Sequence, residues 1–192
     1  MRRSELVAAL TDAILRTRAP RPVRVGIDGR SAAGKSTLTS ELVRQLESLG
    51  RSCALVSIDD FHPPGYVERA IAGDFTPESY PYEGYDLEAF RRTLCAPLDA
   101  IRIVEAAYLF LPELRDCFEL TIWLDIDFDT MLARAEKRDV AWVGSAERVR
   151  ERYRKYWIPR HRHYEETWRP RDRADIVVDN QDLENPRIVR IP

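Results

Sequence analysis

The sequence predicts an α/β fold in three layers: a five-stranded parallel sheet flanked by helices, with a helical lid. Apolar runs of strand length alternate with amphipathic runs of helix length, which implies parallel strands joined by helical crossovers. The first apolar run, Val23 to Ile27, leads into Gly29-Arg30-Ser31-Ala32-Ala33-Gly34-Lys35-Ser36. That loop in turn opens an amphipathic run, so strand, loop and helix follow one another without a break.

Taken in order, Ser4 to Thr17 sets Leu6, Leu10 and Ile14 at helical spacing, and Ala19-Pro20-Arg21-Pro22 ends that helix. Val23 to Ile27 is the first strand. The loop after it has the form G-x-x-x-x-G-K-[ST], the phosphate loop of P-loop NTPases. Its glycines let successive backbone N–H groups turn towards phosphate oxygens, and the following helix adds its free N-terminal N–H groups. Gly29 to Thr37 are therefore the expected nucleotide-binding residues, with Lys35 for the β- and γ-phosphates and the Ser36 hydroxyl for Mg²⁺.

The helix from Lys35 carries Leu38, Leu42, Leu46 and Leu49 on one stripe, and Gly50 stops it. Cys53 to Ile58 reads as a second parallel strand ending in Asp59 and Asp60. Phe61 to Tyr85 is rich in Pro, Gly and Tyr, with a short helical piece near Val67 to Ile71; so long an irregular stretch is usually functional. Asp86 to Leu94 is helical, with Leu87, Phe90 and Leu94 in register. Ile101 to Glu105 and Leu120 to Leu124 are the third and fourth strands, with a turn at Pro112 to Cys117 between them. Helices follow over Phe128 to Lys137 and Ala146 to Trp157; Pro159 interrupts the second, and a further turn or two runs to Trp168. Ile176 to Val178 is a short fifth strand.

At 192 residues the chain suits one domain over 1–192, and 44% apolar with 32% charged residues is the balance of a folded globular protein. The net charge of −2 gives no global pull towards nucleic acid or anionic membrane, so neither is an expected partner. No apolar run reaches membrane-spanning length, and the first twenty residues carry no secretion-signal pattern. Cys53, Cys95 and Cys117 lack metal-site spacing and read as small core residues in a reducing cytoplasm.

Ligands in such sheets bind beyond the strand C-terminal ends, where the loop, Asp59 and Glu105 all fall. Asp59 and Asp60 either accept a proton from an attacking hydroxyl or hold Mg²⁺ through water, or else merely cap the turn. Glu105, ending an apolar strand, fits the Walker-B place near the metal. Arg134 and Arg138 share a helix face and, with Lys137, either clamp a transferring phosphate or form a solvated basic surface. His62 reads as a pocket-lining residue, and Arg160 to Arg173, with His161 and His163, as a solvated helix surface. Tyr80, Tyr82 and Tyr85 either stack on a base or sugar or pack the loop.

Together these motifs resemble the uridine kinase, phosphoribulokinase and pantothenate kinase group. The resemblance rests on Ile27-Asp28-Gly29 entering the loop, Ser57-Ile58-Asp59-Asp60-Phe61-His62, Val104-Glu105-Ala106, Leu114-Arg115-Asp116, Leu124-Asp125, Leu132-Ala133-Arg134, Arg138-Asp139 and Ala174 to Val178. It implies that Asp59 is the general base, that Arg134 and Arg138 contact phosphates, and that the last strand borders the adenine. Tyr85-Asp86 matches that group's ribose-binding pair. Three departures fall on the acceptor side. Only Ala96 to Ala100 stands where uridine kinases carry a long excursion gripping the nucleobase, so that part of the pocket is either absent or lies outside this sequence. Ala141 to Ser145 replaces a Glu-Arg-Gly-Arg segment, and His62 replaces a Tyr.

The expectation is an ATP- and Mg²⁺-dependent kinase acting on a hydroxyl of a small molecule, foremost a nucleoside, in the cytoplasm. Its lid spans roughly residues 134–150, its acceptor segment roughly 60–86, and its oligomeric state is left open. A kinase for another metabolite such as pantothenate is the alternative. A nucleotide-binding regulator without an acceptor is the third; the Asn-Lys-x-Asp motif of GTPase switches is missing from the chain.

Overall fold

The computed structural model describes residues 1–19 and 22–192, apart from the side chains of Ile71 and Arg115. Pro20 and Arg21, expected to end the first helix, lie outside the described residues, as does the Arg115 side chain. Helix α1 (Arg3–Arg16) stops just before them and buries Leu6, Leu10 and Ile14 as its spacing requires.

The strands are β1 (Arg24–Gly29), β2 (Cys53–Ser57), β3 (Ile101–Glu105), β4 (Leu120–Asp125), β5 (Ile176–Asp179) and β6 (Arg187–Arg190). They lie in the order β2-β3-β1-β4-β5-β6. The first five are parallel and β6 pairs antiparallel with β5. The sheet thus has six strands, not five. Arg187-Ile188-Val189-Arg190 buries too little apolar surface to announce a strand, and it forms by adding to the edge that β5 leaves open.

Side-chain alternation divides the core between the two faces. Val25 and Ile27 of β1, Ile103 of β3, Ile122 and Leu124 of β4 and Ile176 and Val178 of β5 pack with α1, α2 (Lys35–Ser48), α6 (Phe128–Val143) and α7 (Ala146–Arg152). Val104, Trp123 and Val177 face the other way. They meet α4 (Tyr80–Glu83), α5 (Leu87–Cys95) and α8 (Ile158–Trp168). The irregular acceptor stretch also holds α3 (Tyr66–Ala72), and α9 (Pro170–Arg173) precedes β5.

Several boundaries differ from the sequence expectation. Leu49 is exposed because α2 has already ended at Ser48, so its stripe stops at Leu46. Helix α6 continues six residues past Lys137 to Val143 and ends at Gly144, which is in the left-handed region. Pro159 interrupts nothing. A π-helical turn over Tyr153–Trp157 joins α7 to α8, and Pro159 sits in the first turn of α8, where a missing N–H costs little. Among the cysteines only Cys117 is a fully buried core residue; Cys53 is half-buried and Cys95 exposed.

Candidate active site

Because β1, β2 and β3 are parallel, their C-terminal ends deliver Gly29, Ser57 and Glu105 to one edge of the sheet. The phosphate loop leaves β1 there. Gly29 has φ +152°, and a Cβ on it would lie 2.6 Å from the Leu124 carbonyl oxygen, so only glycine fits. Gly34 (φ +93°) caps α2, and Ala32 between them is also left-handed (φ +57°). The loop is clamped from outside. Asn180 donates to Ala33 O (2.7 Å), and Arg134 reaches the Asn180 and Gln181 carbonyls (2.7 and 2.9 Å). Arg30 pairs with Glu165 and bonds to Ile126 O.

Inside the loop, Lys35 Nζ donates to the carbonyls of Gly29 (2.8 Å) and Arg30 (2.9 Å). Burial pushes its pKa down, opposed by the charges of Asp28, Asp59 and Glu105. Ser36 and Thr37 open onto a cleft of about 910 Å³. Asp59, His62, Tyr85 and Glu105 line the same cleft, as do Arg134, Lys137 and Arg138.

The expected site residues therefore share one cleft, with four exceptions. Gly29, Arg30 and Ala33 form the body of the loop. Asp86 does not line the cleft: its carboxylate caps α5 by accepting from Ala89 N–H (2.8 Å). Neither arginine stands free. Arg134 is spent on backbone carbonyls, and Arg138 is paired with Asp139 (2.6 Å) and bonded to the Tyr153 hydroxyl (3.1 Å). The Asp139 carboxyl is raised by burial, but its bonds from Arg138 and Tyr153 outweigh that and leave it below the usual range.

Asp59 lies in a 3-10 turn just after β2, its side chain 75% exposed. His62 Nδ1 is 2.6 Å from Gly84 O; a carbonyl only accepts, so Nδ1 carries the proton and Nε2 faces Asp59 Oδ1 at 4.0 Å. The ring is sandwiched between Tyr66 (3.6 Å) and Tyr85 (4.8 Å). Tyr80 and Tyr85 are buried in the aromatic cluster behind, whereas Tyr82 is exposed and packs on Trp168.

The run from Arg160 is not a solvated surface. Arg160, His161 and Tyr164 are the buried face of α8. His161 accepts from Ser31 N–H (3.1 Å), and burial keeps its ring neutral. Tyr164 donates to Asp28 (2.6 Å) and accepts from Phe110 N–H (2.9 Å). The only sequence trace of this arrangement is the spacing of Arg160, His161 and Tyr164 on one helix face. Tyr108 was missed altogether. It lines the cleft because the β3–β4 connection must cross the C-terminal end of β1.

The residues present fit Mg²⁺ held together with a nucleotide. Glu105 Oε2 is buried with no hydrogen-bond partner among the described residues, and the Ser36 hydroxyl opens onto the same cleft. Among the described residues no three His, Cys, Asp or Glu side chains are grouped to hold a metal alone, as expected where phosphates and water supply most ligands. No described helix is long and apolar enough to cross a membrane.

No protein-family model matches the chain. It is similar to uridine-cytidine kinase B of Dictyostelium discoideum, 25% identical over 167 residues, which cover 72% of this chain and 67% of that protein. It is also similar to uridine kinase-like protein 3 of Arabidopsis thaliana, 25% identical over 186 residues, covering 82% of this chain but only 39% of the relative. A solved structure described as a possible uridine kinase from Bacillus stearothermophilus aligns with a TM-score of 0.70 at 21% identity, covering 91% of this chain and 97% of the other. D-glycerate 3-kinase from Cryptococcus neoformans aligns at 0.66 and 13% identity, covering 97% and 98%. The fold is that of the P-loop kinases, and the chain resembles the uridine kinase-like members among them.

Proposed function

We propose that the chain is an ATP-dependent kinase that phosphorylates a hydroxyl group of a small molecule. One observation carries this reading: a phosphate loop and a strand-end aspartate, Asp59, line a single cleft. Gly29 to Thr37 hold the ATP phosphates, with Lys35 leaving its loop carbonyls to meet them. Ser36 and Glu105 would hold Mg²⁺, which would supply charge neutralisation at the phosphates. Asp59 accepts the proton of the acceptor hydroxyl as the oxygen–phosphorus bond forms and the bond to the departing ADP oxygen breaks. Arg138 and Lys137, on the stretch from 134 to 150, close over the cleft and exclude water. The same reading puts the activity in the cytoplasm, where ATP and Mg²⁺ are supplied.

The names of the relatives point to different acceptors, uridine or cytidine in one case and D-glycerate in another. A nucleoside is the acceptor that the curated relatives favour. The directness of the α5–β3 link, residues 96–100, favours a smaller one.

The test is ADP release with a panel of hydroxylated acceptors, run alongside calorimetric ATP binding. Lys35→Ala should abolish turnover. Asp59→Asn should slow it by about 10²- to 10⁴-fold, the usual worth of a general base, with ATP affinity kept. An Asp59→Asn variant as fast as the parent would remove Asp59 as the base.

A further inference from the structure

Two buried polar groups behind the acceptor side of the cleft have no use in the mechanism above. The Tyr108 hydroxyl is 1% exposed at the residue level, lines the cleft and has no hydrogen-bond partner among the described residues. Its backbone is held in the left-handed region (φ +71°), a costly place for a bulky residue. The next two residues enforce that conformation: Leu109 N–H is bonded to Asp28 (3.0 Å) and Phe110 N–H to Tyr164 (2.9 Å). The chain is thus held in a costly bend at the point where Tyr108 joins the cleft wall. Burial pushes its pKa up, so it remains a proton donor.

The second group is Arg160, 3% exposed. No carboxylate pairs with it among the described residues. Its guanidinium donates to Phe75 O (3.3 Å), its Nε has no partner, and it lies over the ring of Tyr80 at 3.9 Å and that of Trp157 at 5.1 Å. Both rings are part of the cleft wall, and Tyr80 also packs on Tyr108 (5.8 Å). The rings of Phe75, Tyr80, Tyr156 and Trp157 around it offset part of the cost of burying that charge but supply no anion. The other tyrosine hydroxyls there satisfy one another, Tyr66 with Tyr80 (3.0 Å) and Tyr80 with Tyr85 (3.3 Å), and His161 is neutral. The carboxylates of the cleft nearest the phosphate loop, Asp59 and Glu105, already have roles.

Tyr108 is the donor that lines the cleft; Arg160 does not line it, and acts from behind Tyr80 and Trp157 through its charge alone. A group that accepts from the Tyr108 hydroxyl and is favoured by a positive charge behind the wall is an anion, and on a small hydroxylated acceptor the simplest such anion is a carboxylate. We propose that the acceptor is a small hydroxy acid whose carboxylate is bound by the Tyr108 hydroxyl and drawn in by the Arg160 charge, leaving its hydroxyl to Asp59. This rests on the kinase reading and names its substrate class.

The experiment measures ADP release with short hydroxy acids, with their neutral amides, and with uridine and cytidine, while calorimetry follows ATP binding separately. The acids should exceed their amides and the nucleosides in kcat/KM by roughly 10- to 100-fold, the worth of charge-assisted hydrogen bonds. Tyr108→Phe should raise KM for the acid about tenfold, with kcat nearly unchanged and no loss of thermal stability, because the hydroxyl has no hydrogen-bond partner among the described residues. Arg160→Met should erase the preference for acid over amide; should it fail to fold, Tyr108→Phe decides alone. Equal rates for acid and amide, preference for a nucleoside, ATP binding with no acid accepted, or an unaltered KM in Tyr108→Phe each overturn the proposal while leaving the kinase reading in place. Loss of ATP binding in the parent chain would overturn both.

Discussion

Asp28 sits where the phosphate loop leaves β1, and its surroundings set its protonation. It is 1% exposed and accepts from Gly29 N–H (2.6 Å), Leu109 N–H (3.0 Å) and the Tyr164 hydroxyl (2.6 Å). Burial is the largest influence and pushes its pKa up to about 6, although Tyr164 and Lys35 pull the other way. The folded chain therefore holds this proton more tightly than the unfolded chain. The stability it lends is fully present below the ordinary carboxylate pKa and is lost as pH rises through about 6. Asp28→Asn cannot titrate, and its amide leaves one backbone N–H without an acceptor. Urea unfolding of both chains between pH 4 and 7 should show the Asn variant less stable at pH 4 and closing the gap by roughly 2 kcal/mol towards pH 7. A gap that stays constant across that range would mean Asp28 is ionised throughout. In the sequence Asp28 is only a polar residue ending an apolar run; three partners from distant segments make it a structural hub, and no local pattern announces them.

At the scale of elements, α8 is the clasp of the phosphate loop. Arg30 crosses to Glu165, with Nε to Oε1 at 2.6 Å, and His161 takes the Ser31 N–H. The side chains of the Arg30–Glu165 pair are 12% and 22% exposed, so removing one charge strands the other in a poorly solvated place. Glu165→Gln should cost about 2 kcal/mol, which for a chain of this size is a fall of roughly 4–8 °C in Tm, read by scanning calorimetry. An unchanged Tm would make the pair a surface contact of no weight. The apolar helices α1, α2 and α6 were legible because Leu, Ile and Met at helical spacing have one physical reading. Helix α8 was not, because its buried face is Arg160, His161 and Tyr164, polar types whose burial depends on Ser31, Asp28 and Tyr80 being there to receive them. Strand β6 was illegible for the opposite reason: it has almost no buried face and owes its existence to its neighbour.

Across the whole molecule, the parallel sheet converts distances in sequence into one short edge. Residues 29, 59 and 105 come together because β1, β3 and β2 are adjacent and run the same way, and that much followed from three apolar runs and what ends them. Of the acceptor wall only His62 and Tyr85 were legible; Tyr108 and Trp157 were not, since they reach it through a loop crossing and a π turn. Such an edge makes nucleotide binding a property of the folded state alone: the unfolded chain has no cradle, so binding must add to stability. At 100 times its Kd, MgATP should contribute about 2.7 kcal/mol. That corresponds to a rise of roughly 5–10 °C in Tm. Lys35→Ala should lose the rise, because its ammonium sits on the loop's own Gly29 and Arg30 carbonyls, whereas the Arg30 side chain is paired outward with Glu165. Asp59→Asn should keep it in full, since the proposed role of Asp59 is towards the acceptor hydroxyl and not the phosphates. Equal rises in all three chains would mean that the nucleotide is held away from the phosphate loop, and the alignment of the three strand ends would then have no bearing on phosphoryl transfer.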